Sequence, residues 1–128
     1  MSKVINCSLI IKDDFNNVLI IQRKVKRGQP KLWSLLSRDI KGKETTEKCL
    51  EKIAKDDLKG IVFNLTHFKD VSMNENETNS IYTGTIRENI LLHKDITSSM
   101  WISERVIDQY DIIDYDRKIL MEFFDSVK

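Results

Sequence analysis

The sequence predicts a mixed α/β fold, and three observations carry that prediction. β-rich runs open the chain at residues 4–11 and 18–22, joined by the turn-like DDFNN. A central stretch, about residues 46–58, places Cys49, Leu50, Ile53, Ala54 and Leu58 on one face at the repeat of an α-helix. The closing stretch, about residues 114–127, sets Ile119, Leu120, Phe123 and Phe124 on one face of a second helix suited to packing on a sheet.

The elements follow in chain order. The polar connection between the first two runs suggests a β-hairpin, and residues 33–36 are a short strand candidate. After the central helix, residues 60–65, 68–72 and 80–86 alternate as strands do, with MNENETN between the last two as a surface loop. Residues 100–103 form a further strand candidate before the final helix. The 128 residues, 41% of them hydrophobic, suffice for one sizeable core, so residues 1–128 are expected to form a single domain.

Composition narrows the function classes. With 21 basic and 20 acidic side chains the net charge is +1, which offers no global case for nucleic acid or a membrane surface. No stretch approaches the roughly 20 apolar residues that span a bilayer, so a cytoplasmic protein is expected. Cys7 lies in an apolar strand and Cys49 on the helix's apolar stripe, which favours buried thiols over a disulfide. His67 and His93 have no sequence neighbours arranged as nucleophile partners.

The chemistry concentrates in the last turn of the central helix. Asp56 and Asp57 stand there against the partial negative charge of the helix C-terminus, and aspartate is a weak helix former. Two readings stand. A divalent cation bound by hard oxygen ligands would reverse the repulsion. Alternatively, Lys52, Lys55 and Lys59 neutralise the pair, with Lys52 meeting Asp56 at i,i+4 on a solvated face.

The surrounding residues resemble a known signature. WSLLSRDIKGKETTEKCLEKIAKDDLKG is similar in register to the Nudix hydrolase box, G-x5-E-x7-R-E-U-x-E-E-x-G-U with U a bulky aliphatic. Aligned on Glu44 as the motif glutamate, the Arg-Glu pair falls on Lys52 and Ile53, the Glu-Glu pair on Asp56 and Asp57, and the closing glycine on Lys59. The opening glycine falls on Arg38, preceded by Ser37, while Gly42 and Gly60 are each displaced by one place. VLIIQRKVKRGQPKLWSL upstream and MWISERVIDQYDIIDYDRKILMEFF downstream resemble the family's flanking strands and helices, so the likeness spans most of the chain.

This resemblance implies a Nudix-type α/β/α sandwich with a mixed sheet. It also implies metal-dependent cleavage of a nucleoside diphosphate linked to another group, by a water activated on Mg2+ or Mn2+. Carried over residue by residue, Asp56 and Asp57 become the metal-binding and catalytic acids, with the backbone carbonyl of Ser37 as a further ligand. Arg23 and Arg38 become phosphate contacts, and Glu44 a structural motif residue. Ile53, where the family has glutamate, can neither ligate a metal nor accept a proton. The family's extra loop acid would fall near Ser98, leaving Asp95, Glu88 and Glu104 as substitutes. A weakened or divergent hydrolase is therefore expected, against the alternative of an inactive nucleotide-binding or regulatory protein.

Residues 23–31, RKVKRGQPK, hold five basic side chains and no acid. Beyond Arg23 they read as a solvated loop, because only Trp33 stands close enough for the base stacking that nucleic-acid binding uses. Trp33 and Trp101 are expected in the core. The expected partner is a small nucleotide or nucleoside diphosphate derivative, with a homodimer left open.

Overall fold

The computed structural model describes residues 3–87 and 90–128. The elements are β1 (Lys3–Ile11), β2 (Val18–Arg23), β3 (Leu36–Asp39), α1 (Thr46–Leu58), β4 (Phe63–Ser72), β5 (Glu77–Thr85), β6 (Ile96–Ile102), a 3-10 turn (Glu104–Gln109) and α2 (Asp114–Ser126). Among the described residues the strands form a four-stranded sheet, order β3-β1-β5-β4, and a two-stranded sheet of β2 and β6. β1 runs parallel to β5, whereas β3 and β4 are antiparallel to their neighbours, so the larger sheet is mixed.

β1 and β2 are apolar without interruption over residues 9–11 and 18–21 because the two faces bury against different helices. Ile10, Val18 and Ile20 pack with Ile119, Leu120, Phe123 and Phe124 of α2. Cys7, Leu9, Ile11, Leu19 and Ile21 face the opposite way, against Cys49, Leu50, Ile53 and Leu58 of α1. The result is an α/β/α arrangement, the mixed α/β fold that the residue patterns predict in the layering that the resemblance implies.

The predicted hairpin is replaced by a corner between the two sheets. Asp13 Oδ1 accepts from the amides of Phe15 and Asn17 at 2.9 Å each, and Asn16 turns the chain at φ 61°. Beyond that turn, Lys12 and Val18 make a lone bridge. β1 already carries β3 on one edge and β5 on the other, so β2 pairs with β6 instead. The strand expected at residues 33–36 begins at Leu36; Trp33 and Ser34 make isolated bridges to Ile112 and Ile21.

The strands expected at residues 60–65 and 68–72 are one strand, β4, which begins at Phe63 and leaves residues 60–62 outside it; register shifts at Phe63/Thr66 and His67/Lys69 interrupt it, with Asn64 left-handed at φ 57°. A Cβ on Gly84 of β5 would lie 2.5 Å from Val62 Cγ2, so close backbone approach explains that glycine. Trp33 packs against the α2-side core, edge-on to Tyr110 at 5.5 Å between ring centres. Trp101, expected in the core, is 40% exposed on β6. Cys7 and Cys49 are both free and buried, and burial pushes both thiols up.

Candidate functional site

The last turn of α1 is where three parts of the chain converge. Thr45 starts the helix, its side chain accepting from the Lys48 amide at 3.2 Å, and the last turn brings Asp56 to Arg38 of β3 and Asp57 to Arg23 of β2. The helix ends at Lys59, a non-glycine residue held left-handed at φ 54°, with the Gly60 amide donating to Ala54 O at 3.1 Å. Residues 91–93 cover that end. The amides of Leu91 and His93 donate to the carbonyls of Leu58 and Asp57 at 3.1 and 2.9 Å, satisfying groups that a helix C-terminus leaves open.

Arg23, Ser37, Arg38, Asp56, Asp57, Lys59, His93 and Asp95 line a cavity of about 400 Å³ at this junction. Arg23 Nη2 lies 3.0 Å from Asp57 Oδ2, and Arg38 Nη1 lies 3.0 Å from Asp56 Oδ2. The pairs differ in burial: the side chains are 36% and 11% exposed for Arg23 and Asp57, but 29% and 47% for Arg38 and Asp56. Neither aspartate takes the Lys52 partner allowed by helical spacing. Lys52 pairs with Glu44 instead, and that hydrogen bond holds the Glu44 carboxyl below its ordinary pKa. Arg38, Lys41, Glu44, Lys52 and Asp56 line a second cavity of about 250 Å³, which shares the Arg38–Asp56 pair with the first.

The remaining predicted residues divide as follows. Ser37 and Arg38 lie within β3, opposite Ser8 and Cys7, so they form strand rather than the turn that the box's opening glycine serves. Ile53 is fully buried in the α1-side core, which makes it a packing residue. Of the three substitute acids, Asp95 lines the cavity; Glu104 pairs with Lys128 at 3.0 Å, and Glu88 lies outside the described residues. Ser98 sits in the β2–β6 ladder opposite Gln22. Lys24, Lys26, Arg27 and Lys31 are exposed, and the Lys24 amide ties their loop to the Asp95 carbonyl at 2.7 Å.

Lys59 and His93 are cavity residues that the sequence did not assign. Lys59 could have been suspected from its place at the motif's closing glycine. His93 gives no sequence signal, because its neighbours arrive through the docking of residues 91–95 on α1. Its Nδ1 accepts from the Asp95 amide at 3.1 Å and lies 3.5 Å from the Asp95 carboxylate.

Among the described residues no three His, Cys, Asp or Glu side chains assemble in a way that could hold a metal ion. Two adjacent carboxylates are present at the helix end, and both are engaged by arginines. The octahedral shell of Mg2+, at roughly 2.0–2.1 Å, is not matched by this donor set as it stands. The lining sets two guanidiniums and an ammonium beside three carboxylates around a small concave volume, and the guanidiniums are the groups suited to phosphoryl oxygens.

The sequence matches no protein-family model and no curated protein. Solved structures do match in shape. A MutT solved in a study of the Aliivibrio salmonicida and Vibrio cholerae proteins superposes with a TM-score of 0.81 at 10% identity, covering 97% of this chain and 99% of that one. The NUDIX domain of Shewanella oneidensis NrtR, complexed with ADP ribose, gives 0.77 at 12% identity, over 100% and 90% of the two chains. MutT from Methanosarcina mazei gives 0.74 at 13% identity, over 99% and 97%. The chain therefore has the Nudix fold.

Proposed function

We propose that this Nudix-fold chain binds a nucleoside diphosphate linked to another group, with Arg23, Arg38 and Lys59 receiving the phosphates. One observation carries the reading: Arg23 from the two-stranded sheet and Arg38 from the four-stranded sheet meet in one cavity, with Lys59 beside them. A guanidinium fork can hold two phosphoryl oxygens at once, and a diphosphate offers enough oxygens for two forks. The complex of the NrtR domain with ADP ribose supports the ligand class, since that protein shares the fold.

Metal-assisted hydrolysis is the second reading, favoured by Asp95 joining Asp56 and Asp57 in the cavity lining. Mg2+ or Mn2+ would fall to Asp56 and Asp57, with Ser37 O as a further ligand. Against it stand the arginine partners of both acids and the burial of Ile53 at the family's glutamate position. With both acids held by arginines, the present donor set does not fit the ion.

Calorimetric titration with ADP-ribose, without and then with added Mn2+, tests the proposal. Saturable binding to the wild type, lost in the Arg23→Ala/Arg38→Ala double variant, supports it; equal binding by both proteins overturns it. Metal-dependent phosphate-bond cleavage that Asp57→Asn abolishes would establish the second reading instead.

A further inference from the structure

The cavity contains its own anions. Arg23, Arg38 and Lys59 supply three positive charges, and Asp56, Asp57 and Asp95 supply three negative ones, so its formal charge is zero with His93 neutral. A diphosphate entering a neutral cavity gains little from electrostatics unless some of those carboxylates withdraw.

We propose that Asp56 and Asp57 are placeholders, carboxylates occupying the places on Arg38 and Arg23 that a ligand's two phosphates take by displacement. This inference rests on the diphosphate-binding reading above and adds how the site is kept closed and how it opens. Both arginines are held by a carboxylate oxygen at 3.0 Å, the contact that a phosphoryl oxygen would make. Both acids stand at a helix C-terminus, where the backbone's partial negative charge disfavours them, so their hold rests on the arginines. Each phosphate of a disubstituted diphosphate carries one negative charge over two free oxygens, as an aspartate does, so the ligand's advantage lies in two covalently linked phosphates that meet both guanidiniums together.

Burial sets the order of opening. Asp56, with 47% of its side chain exposed, swings into water without losing hydration, and Arg38 is released first. Asp57, with 11% exposed, must exchange its partner inside the cavity, where Lys59 and His93 stand nearby. The Arg38–Asp56 pair is also the shared wall of the two adjoining cavities, so its opening admits the first phosphate and joins the two volumes. A diphosphate can replace both carboxylates at once, whereas a monophosphate replaces one and leaves the other arginine held.

The test is titration calorimetry in the presence of a chelator, with inorganic pyrophosphate and ADP-ribose as probes. Wild type is compared with Asp56→Asn, Asp57→Asn, the double Asn variant, and Asp95→Asn. Asp95→Asn is the control, because it removes the same charge from the same cavity without freeing an arginine. The double Asn variant is expected to bind on the order of tenfold more tightly than wild type, with Asp57→Asn contributing more than Asp56→Asn. The gain from Asp57→Asn should vanish when Arg23 is also replaced by alanine, a coupling that a double-mutant cycle reads.

An equal gain from Asp95→Asn reduces the effect to net charge and overturns the placeholder role. Unchanged or weaker binding in the Asn variants, with the wild type binding, also overturns it and leaves the diphosphate site standing. If neither the wild type nor any variant binds either probe, the diphosphate reading fails and the placeholder falls with it. Should Asp57→Asn not fold, the half-exposed Asp56→Asn decides alone.

Discussion

Arg23 and Asp57, 34 positions apart in sequence, face one another with Nη2 and Oδ2 3.0 Å apart, and Asp57 retains only 11% of its side-chain exposure. The contact joins the end of β2 to the last turn of α1, and so fixes one wall of the cavity to the two-stranded sheet. Removing the arginine leaves a nearly buried carboxylate without its cation.

Arg23→Ala should therefore cost about 1–2 kcal/mol of stability, below the range for fully buried pairs because Arg23 is itself partly solvated. The Arg23→Ala/Asp57→Asn double variant should recover part of that loss. Urea denaturation of the three proteins measures it; equal stability of wild type and Arg23→Ala would remove the pair from the account of the fold.

Lys59 combines a conformational cost with a cavity position. A left-handed non-glycine residue costs roughly 1–2 kcal/mol, which glycine does not incur. Lys59→Gly should raise the melting temperature, corresponding to about 1 kcal/mol, while weakening pyrophosphate binding because an ammonium leaves the cavity. A variant that is both less stable and equally able to bind would contradict both halves of this expectation.

Ile53 offers a test of core against site. Ile53→Ala should destabilise by about 2–5 kcal/mol, the range for large-to-small replacements at fully buried positions. Ile53→Glu restores the residue type of the box yet places a carboxylate among Cys7, Leu9, Leu50 and Leu58. It should destabilise at least as much at neutral pH, and circular dichroism through a thermal melt reads both.

Asp116 should impose a pH dependence on stability. Burial pushes its carboxyl above the ordinary range, partly opposed by the Leu35 amide donating to Oδ2 at 3.0 Å. With the folded pKa above the unfolded one, the favourable contribution is complete below the ordinary aspartate value of about 3.9. It is lost as pH rises through the raised folded value. Asp116→Asn keeps an acceptor oxygen for Leu35 and removes the charge, so its melting temperature relative to wild type should climb from pH 3.5 to pH 7. A difference that stays flat across that range would show that Asp116 titrates alike in the folded and unfolded chain.

Much of the architecture was legible because local periodicity and tertiary burial agree. α1 spans Thr46–Leu58, the predicted 46–58, since its apolar stripe and the Thr45 cap define both face and start. α2 likewise follows the stripe of Ile119, Leu120, Phe123 and Phe124. Strand existence was readable, but strand partnership was not. Whether β2 pairs with β1 depends on whether β1 has a free edge, and β3 and β5, distant in sequence, occupy both.

The candidate site divides in the same way. Sequence alone identified Asp56 and Asp57 as acids poorly suited to a helix C-terminus, and marked Arg23 and Arg38 as cations worth following. It also offered Lys52 as the local partner of Asp56, because helical spacing is the only geometry a sequence contains. The tertiary structure gave Lys52 to Glu44 and the aspartates to arginines from two different sheets. Ion pairs form between groups that packing has already brought close. Only the docking of α1 against β2 and β3, and of residues 91–95 against its end, determined which charges share the cavity.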